Sequence, residues 1–151
     1  MSREELKQRL SEICPSVTFD ETGEFLMAFF TPDVFLTQMK ELRCATDLNF
    51  DYLFCMTAID WKDNFTAVYH LSSTPFRHAL VVKVKLTDKE NPVLDSVAGI
   101  WKGANFLERE VYDLMGIRFN GHPDLRRLIL EDDWIGHPLR KDYADENMIE
   151  L

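Results

Sequence analysis

A cluster of acidic, basic and histidine side chains between residues 108 and 140 is the part of this chain best suited to chemistry. Glu108 and Glu110 could act as a paired acid and base, and His122 could serve as a general base. Four nearby arginines could hold an anion or pair with a carboxylate: Arg109, Arg118, Arg126 and Arg127. The same side chains could instead form hydrogen-bonded ion pairs with a neighbouring protein. The elements that position them decide between these interpretations.

Helical spacing of apolar residues predicts a helix over 104–115, closed by Gly116 as its C-terminal cap. The apolar stripe consists of Ala104, Leu107, Val111 and Leu114. Because each residue turns a helix by about 100°, Glu108 and Glu110 should lie roughly 200° apart, on opposite sides of this stripe. Two carboxylates so placed do not easily converge on one substrate atom, which disfavours a paired acid and base.

Arg109 and Asp113 are four residues apart, and we predict them on the outer face of this helix. An exposed pair of this kind contributes only about 0.3–0.5 kcal/mol, as expected of a solvated surface helix. The density of charge beside a buried stripe favours a second interpretation, because a carboxylate at such a border needs a cation or an amide as partner. We interpret the segment as an ion-pair network at an interface.

The preceding sequence predicts an α+β fold with a mostly antiparallel sheet and helices packed on one face. A capping box at Ser2 and Glu5 starts a helix that Pro15 ends, and Thr31-Pro32 starts a second helix whose core residues are Phe35, Met39 and Leu42. Strands are predicted at 25–30, 51–59, 65–71 and 77–86, followed by a helical turn at 97–101.

The character of the chain changes after Asn120, so we divide it into an α+β domain (1–120) and an extended C-terminal arm (121–151). The arm alternates short apolar clusters with charge and two Gly-His-Pro turns, and no periodic stretch is long enough to fold alone. Such a segment suits an arm lying on another protein, anchored by Trp134 and by Arg126, Arg127 or Arg140. The alternative is an extension folded back on its own domain. Residues 144–151 are acidic and predicted to be mobile.

Composition excludes several functions. A net charge of −9 argues against binding nucleic acid, and no apolar run approaches the roughly 20 residues that cross a bilayer. The charged start, Met1-Ser2-Arg3-Glu4-Glu5, has no secretory signal, so we expect a cytosolic or peripheral protein. The cysteines Cys14, Cys44 and Cys55 are scattered, and no cysteine or histidine spacing is typical of a metal site. Nucleotide-binding and nucleophile-elbow motifs are also missing from the sequence.

Two adjacent runs carry a resemblance to a known family. They are Glu-Arg-Glu-x-Tyr-Asp-Leu-Met-Gly-Ile-x-Phe at 108–119 and Gly-His-Pro-Asp-Leu-Arg-Arg-Leu-Ile-Leu at 121–130. They resemble the signature of the C subunit of NADH:quinone oxidoreductase, respiratory complex I. The flanking stretches are similar as well, so the resemblance is tight over 97–143 and loose over the first ninety residues.

The resemblance implies a structural subunit of the hydrophilic arm, on the cytoplasmic side of the inner membrane. Such a subunit braces the D subunit, which forms the quinone site and is here expected to be a separate polypeptide, while electrons pass from NADH to quinone and protons are translocated. It implies no cofactor in this chain, with FMN and iron–sulfur clusters in partner subunits. The residues expected at interfaces are Glu108, Arg109, Glu110, Asp113, His122, Asp124, Arg126, Arg127, Trp134, His137 and Arg140.

Two alternatives remain. The family pattern also occurs in complex I-like membrane-bound hydrogenases, where the chain would be the equivalent scaffold subunit. The other alternative is a stand-alone enzyme that uses Glu108 or His122 as general base and the arginine cluster to hold an anion.

Overall fold

Ten helices and strands form in residues 1–149, the part of the chain that this computed structural model describes. The helices are α1 (Arg3–Ile13), α2 (Pro32–Cys44) and α3 (Ala104–Met115). The strands are β1 (Thr18–Asp20), β2 (Leu26–Phe30), β3 (Tyr52–Asp60), β4 (Phe65–Ser73), β5 (His78–Leu86), β6 (Val93–Asp95) and β7 (Arg118–Asn120).

Helices α1 and α2 begin at the residues where the local sequence predicted a helix start. The Ser2 hydroxyl accepts the N–H of Glu5, and the Glu5 carboxylate accepts the N–H of Ser2 at 2.7 Å, which is the predicted capping box. Thr31 and Pro32 start α2 as predicted, although the Thr31 hydroxyl makes no capping hydrogen bond. The predicted turn at 97–101 forms a single hydrogen-bonded turn, in which Trp101 donates to the carbonyl of Val97 at 3.0 Å.

The main sheet has five strands in the order β1-β2-β5-β4-β3, with helices on one face, so the predicted α+β architecture is confirmed. Strands β3, β4 and β5 form an antiparallel meander, and β1 pairs antiparallel with β2. The pairing of β2 with β5 is parallel, which makes the sheet mixed. The short strands β1, β6 and β7 were not predicted, since three residues are too few to show a period.

The core lies between the helices and the inner face of the sheet. Phe35, Met39 and Leu42 of α2 are fully buried, as predicted, and Leu6 and Leu10 of α1 are buried with them. The inner face of β5 comprises His78, Leu80, Val82, Val84 and Leu86, while Lys83 and Lys85 point away. This alternation of period two is the pattern the sequence predicted.

Beyond β7, residues 121–149 contain no helix or strand. Residues 121–143, hereafter the strap, lie along α3 of their own domain, held by hydrogen bonds described below. In the isolated chain the strap therefore adopts the alternative that the sequence left open, an extension folded back on its own domain. The division into a domain and an arm that serves a partner stays a prediction, and the predicted mobile end falls partly on residues 150–151, outside the described residues.

Candidate functional site

Helix α3 places three charged side chains in the interior. Glu108 and Asp113 have no exposed surface, and Arg109 is 6% exposed. The predicted pairing of Arg109 with Asp113 on an outer face is therefore wrong, because the strap covers that face of the helix. Arg109 donates instead to the backbone carbonyls of Arg126 and Arg127, at 3.2 and 3.1 Å.

The Asp113 carboxylate is the main attachment point of the strap. One oxygen accepts the Arg127 guanidinium at 2.8 Å. The other accepts three consecutive backbone N–H groups, from Leu128, Ile129 and Leu130, at 3.1, 2.7 and 2.9 Å. Three convergent amides and one guanidinium satisfy a buried carboxylate, which would otherwise be costly to ionise.

The pKa of Asp113 reflects this competition. Burial raises it, but the hydrogen bonds from Leu130, Arg127, Ile129 and Leu128 outweigh burial, and the pKa lies below its ordinary value. The group is thus charged at neutral pH although it is fully buried, and the strap supplies most of what stabilises that charge.

Arg127 and His137 fasten the remainder of the strap. The Arg127 guanidinium also donates to the carbonyls of Trp134 and Gly136, at 2.8 and 2.9 Å, so it joins two parts of the strap to α3. The ring Nδ1 of His137 lies 2.8 Å from the carbonyl oxygen of Asp113, and since a carbonyl only accepts, Nδ1 carries the proton. The ring fits against Gly116, where an added Cβ would lie 2.7 Å from it.

A second buried carboxylate, Asp60 at the end of β3, holds the far end of the strap. It accepts the backbone N–H groups of Lys62 and Lys141, each at 2.8 Å, and pairs with Lys89 at 3.0 Å. Burial raises the pKa of Asp60, but the hydrogen bonds from Lys141, Lys89 and Lys62 outweigh it and lower the pKa overall.

Arg140 supports this second attachment. Its guanidinium pairs with Asp142, donates to the carbonyl of Lys89 at 3.0 Å and lies 5.1 Å from the ring centroid of Phe65. Neither Asp60 nor Lys89 is among the residues that the sequence predicted for the site. Asp60 begins a polar turn, Asp-Trp-Lys-Asp-Asn, so its local pattern is that of an ordinary turn residue.

Glu108 faces a different neighbour, the loop that precedes α3. Its oxygens accept the Ser96 hydroxyl at 2.6 Å and the Val97 N–H at 2.7 Å, and His122 Nε2 lies 3.8 Å away. Burial raises the pKa of Glu108 to about 7, although the hydrogen bonds from Ser96 and Val97 act to lower it. Glu110 is exposed, so the two glutamates diverge as their spacing predicted.

Of the remaining predicted residues, Asp124, Arg126 and Trp134 are exposed, whereas the side chain of His122 is enclosed. His122 has a buried ring whose Nε2 donates to the carbonyl of Asn105, at 3.0 Å, while its Nδ1 accepts the N–H of Asp124. Asp124 and Arg126 form an exposed ion pair at 2.9 Å. Trp134 is 40% exposed. The structure therefore brings Arg109, Asp113, Arg127 and His137 together, with Glu108 and His122 as a separate pair and Arg140 at the second attachment.

The buried charges of α3 are bound by partners within the described part of the chain. In residues 1–149, no cluster of three or more His, Cys, Asp or Glu side chains is placed to hold a metal ion. Glu108 and His122 have no exposed side-chain surface, so a dissolved substrate does not reach them in this conformation. None of the helices in the described part of the chain is long and apolar enough to cross a membrane.

The fold and the site together define an α+β domain whose buried carboxylates fasten a C-terminal strap. Residues 29–147 match the family described as respiratory-chain NADH dehydrogenase, 30 Kd subunit. The chain belongs to this family, and the resemblance noted in its sequence is confirmed.

Similar proteins carry consistent names. The chain is 54% identical, over 74% of its length, to the C/D subunit of NADH-quinone oxidoreductase from Phocaeicola vulgatus, of which the match covers 21%. It is 38% identical to the C subunit of the same enzyme from Moorella thermoacetica, over 90% of this chain and 91% of that protein. Two further relatives named as the C subunit are covered over less than two thirds of their length.

Among solved structures, the chain is similar to one from a membrane-bound sulfane sulfur reductase, described as an archaeal respiratory membrane complex. The TM-score is 0.70 at 27% identity, and the match covers 93% of this chain and 85% of the other. The named relatives are subunits of an enzyme complex, NADH-quinone oxidoreductase.

Proposed function

We propose that this chain is a non-catalytic structural subunit of NADH:quinone oxidoreductase that braces the D subunit, which forms the quinone site. In this proposal it lies in the hydrophilic arm, peripheral to the cytoplasmic side of the inner membrane. It binds no cofactor of its own, and the FMN and iron–sulfur clusters belong to partner subunits. Electrons pass from NADH to quinone, with proton translocation, in those partners.

The proposal rests on the strap, because its inner side is bound to the domain while its outer side displays apolar groups to solvent. Its inner side is fixed to Asp113 and Asp60. Its outer side exposes four apolar side chains by 40–90%: Ile129, Trp134, Ile135 and Leu139. A segment without regular structure that is held rigidly and displays apolar groups is suited to docking on another protein, because burying those groups there is favourable.

Replacement of Ile135 by serine tests the proposal. Ile135 is 90% exposed, so Ile135→Ser should change the free energy of unfolding of the free chain by less than about 0.5 kcal/mol. Its recovery with the D subunit from mildly solubilised membranes, and NADH:quinone activity, should both fall. Tyr52→Thr is the matched control, since Tyr52 is 57% exposed at the start of β3, whereas the strap attaches at Asp60, the last residue of that strand. Normal recovery and activity of Ile135→Ser would contradict a docking role for the strap.

A second candidate is the equivalent scaffold subunit of a complex I-like assembly, such as a membrane-bound hydrogenase. The similarity to a chain of the sulfane sulfur reductase complex supports this second candidate. Identification of the co-purified subunits separates the two, because a flavin-bearing subunit indicates NADH chemistry. The stand-alone enzyme has less support, since its proposed bases are enclosed. Recovery of the wild-type chain without partners would favour that alternative.

A further inference from the structure

A groove on another side of the molecule has a charge pattern that the strap does not explain. It has a volume of about 800 Å³ and lies between the end of α2, the turn that joins β4 to β5, and the loop before α3. Phe76, Pro75 and Ile100 give it apolar walls, and Lys40 and Arg43 of α2 stand at its side. No strap residue lines it.

The charged side chains that line the groove are positive, although the chain as a whole has a net charge of −9. The chain has 26 acidic and 17 basic residues, yet no acidic side chain lines this groove. Within residues 1–149, neither Lys40 nor Arg43 has a carboxylate within salt-bridge distance. Arg43 donates to the side-chain oxygen of Asn49 at 2.8 Å, which fixes its guanidinium while leaving other N–H donors for a ligand.

The apolar wall is fixed as well. Phe76 is 43% exposed, and its ring stacks on that of His78 with the centroids 5.9 Å apart and the planes at 16°. The ring of His78 is held in turn by the carbonyl of Leu48, at 2.9 Å from Nε2. Covering an exposed ring of this kind is favourable, at about 25 cal/mol for each Å² of apolar surface removed from water.

We propose that this groove binds a segment of a partner protein that carries both apolar side chains and carboxylates. The apolar groups lie on Phe76 and Ile100, and the carboxylates pair with Lys40 and Arg43. The groove is open along one side, whereas small-molecule sites enclose most of their ligand, so a polypeptide segment held elsewhere fits better. A second copy of this chain is disfavoured because each copy has a net charge of −9. The proposal rests on the chain being part of a larger complex.

Cys44 reports on occupancy, because its side chain lines the groove and is exposed. The rate at which iodoacetamide alkylates Cys44 is measured in the free chain and in the purified complex. We expect alkylation at least tenfold slower in the complex. Equal rates in the two samples would overturn the proposal.

Two variants make the test specific. Gly99→Leu adds a side chain where a Cβ meets nothing within 4 Å, so it should fill the groove without disturbing the fold. Lys40→Glu reverses a charge at the rim. In both variants the protection of Cys44 should fall at least fivefold, with each complex compared with its own free chain. Lys85→Glu, an exposed lysine on β5 outside the groove, should keep full protection, and loss of protection there would contradict a specific site.

The identity of the occupant is read by cross-linking. Cys55 is also exposed, so it is first replaced by serine. Benzophenone maleimide attached to Cys44 of this free chain, followed by assembly and irradiation, should cross-link a partner peptide that contains apolar and acidic residues. A cross-link to lipid, to a basic peptide or to a second copy of this chain would overturn the proposal. If the wild-type chain enters no complex, the proposed function fails; if it enters with Cys44 unprotected, only the groove proposal fails.

Discussion

The guanidinium of Arg127 lies 2.8 Å from the carboxylate of Asp113 and donates as well to the carbonyls of Trp134 and Gly136. One side chain thereby connects α3 to two separate points of the strap. The Asp113 side chain is fully buried and that of Arg127 is 14% exposed, so water does little to screen the pair. Removal of either partner leaves a charge without its counterpart, which costs far more than loss of a surface pair.

Asp113→Asn should therefore strongly destabilise the free chain. The amide offers one oxygen in place of two and turns an NH₂ group toward donors, so Arg127 or the N–H groups of 128–130 lose an acceptor. We expect the free energy of unfolding to fall by about 3 kcal/mol, measured by urea denaturation at pH 7. An effect below about 1 kcal/mol would show that the strap does not depend on this carboxylate.

Glu110→Gln, unlike Asp113→Asn, should leave the stability of the free chain unchanged. The side chain of Glu110 is exposed and makes no hydrogen bond or ion pair with residues 1–149, so the free chain should keep its stability within about 0.5 kcal/mol. If Glu110 contacts a partner protein, as its place among the predicted interface residues implies, incorporation into the complex should fall. Quantitative mass spectrometry of the purified complex measures this, and unchanged incorporation would remove Glu110 from the interface.

Glu108 should make stability depend on pH. Its pKa is about 7 in the folded chain, compared with an ordinary value of 4.5, so the folded chain binds this proton more tightly than the unfolded chain. The stabilisation is complete below about pH 4.5 and is lost as the pH rises through 7.

The Glu108→Gln variant cannot titrate at this position. The difference in free energy of unfolding between wild type and variant, measured by urea denaturation from pH 5 to 8, should therefore shift in favour of the variant as the pH rises. A difference that stays constant across this range would show that Glu108 has an ordinary pKa.

Asp60→Asn should release the far end of the strap. Asp60 accepts the N–H of Lys141 and pairs with Lys89, so the variant loses the charge that holds both. We expect faster amide hydrogen exchange over residues 139–143, with exchange at 128–130 little changed because Asp113 still holds that part. Asp133→Asn serves as control, since Asp133 is exposed and makes no hydrogen bond in the described part of the chain. Equal acceleration at both ends of the strap would contradict two separate attachments.

Gly116→Ala and Gly121→Ala form a matched pair, because both glycines have a φ of +76°. A side chain in this left-handed conformation costs roughly 1–2 kcal/mol at either position. At Gly121 an added Cβ meets nothing within 4 Å, whereas at Gly116 it would lie 2.7 Å from the His137 ring. The loss of unfolding free energy should be larger for Gly116→Ala by about 1 kcal/mol or more. Equal losses would mean that His137 does not pack here.

Periodic patterns made most of the fold predictable. The capping box at Ser2, the stripe of α2 and the alternation of β5 are local signals, and each element formed where its signal lay. The parallel pairing of β2 with β5 was not predictable in this way, because nothing local in Leu26–Phe30 indicates which strand it will join.

The sequence located the charged residues of α3 but not their contacts, and their role at an interface with a partner stays a prediction. The density of charge on α3 indicated a network, and Arg109, Asp113, Arg127 and His137 are indeed joined. The burial of Asp113 could not be derived from the helix alone, since helical spacing locates a face and the strap decides whether that face meets water. Asp60 was missed for the same reason, because its partner Lys141 lies 81 residues further along the chain.

The parallel pair β2–β5 also has a consequence for how the chain folds. Leu26 faces Leu80, and every hydrogen bond between these strands closes a loop of more than fifty residues that contains α2 and the β3–β4 hairpin. Closing so long a loop costs entropy before any contact compensates for it, whereas β3, β4 and β5 are joined by short turns and can pair locally. We therefore expect the meander β3–β5 to form first, with β2 and its partner β1 joining at the edge strand β5 afterwards. During synthesis, we expect the β1–β2 pair to join the sheet only after β5 has left the ribosome.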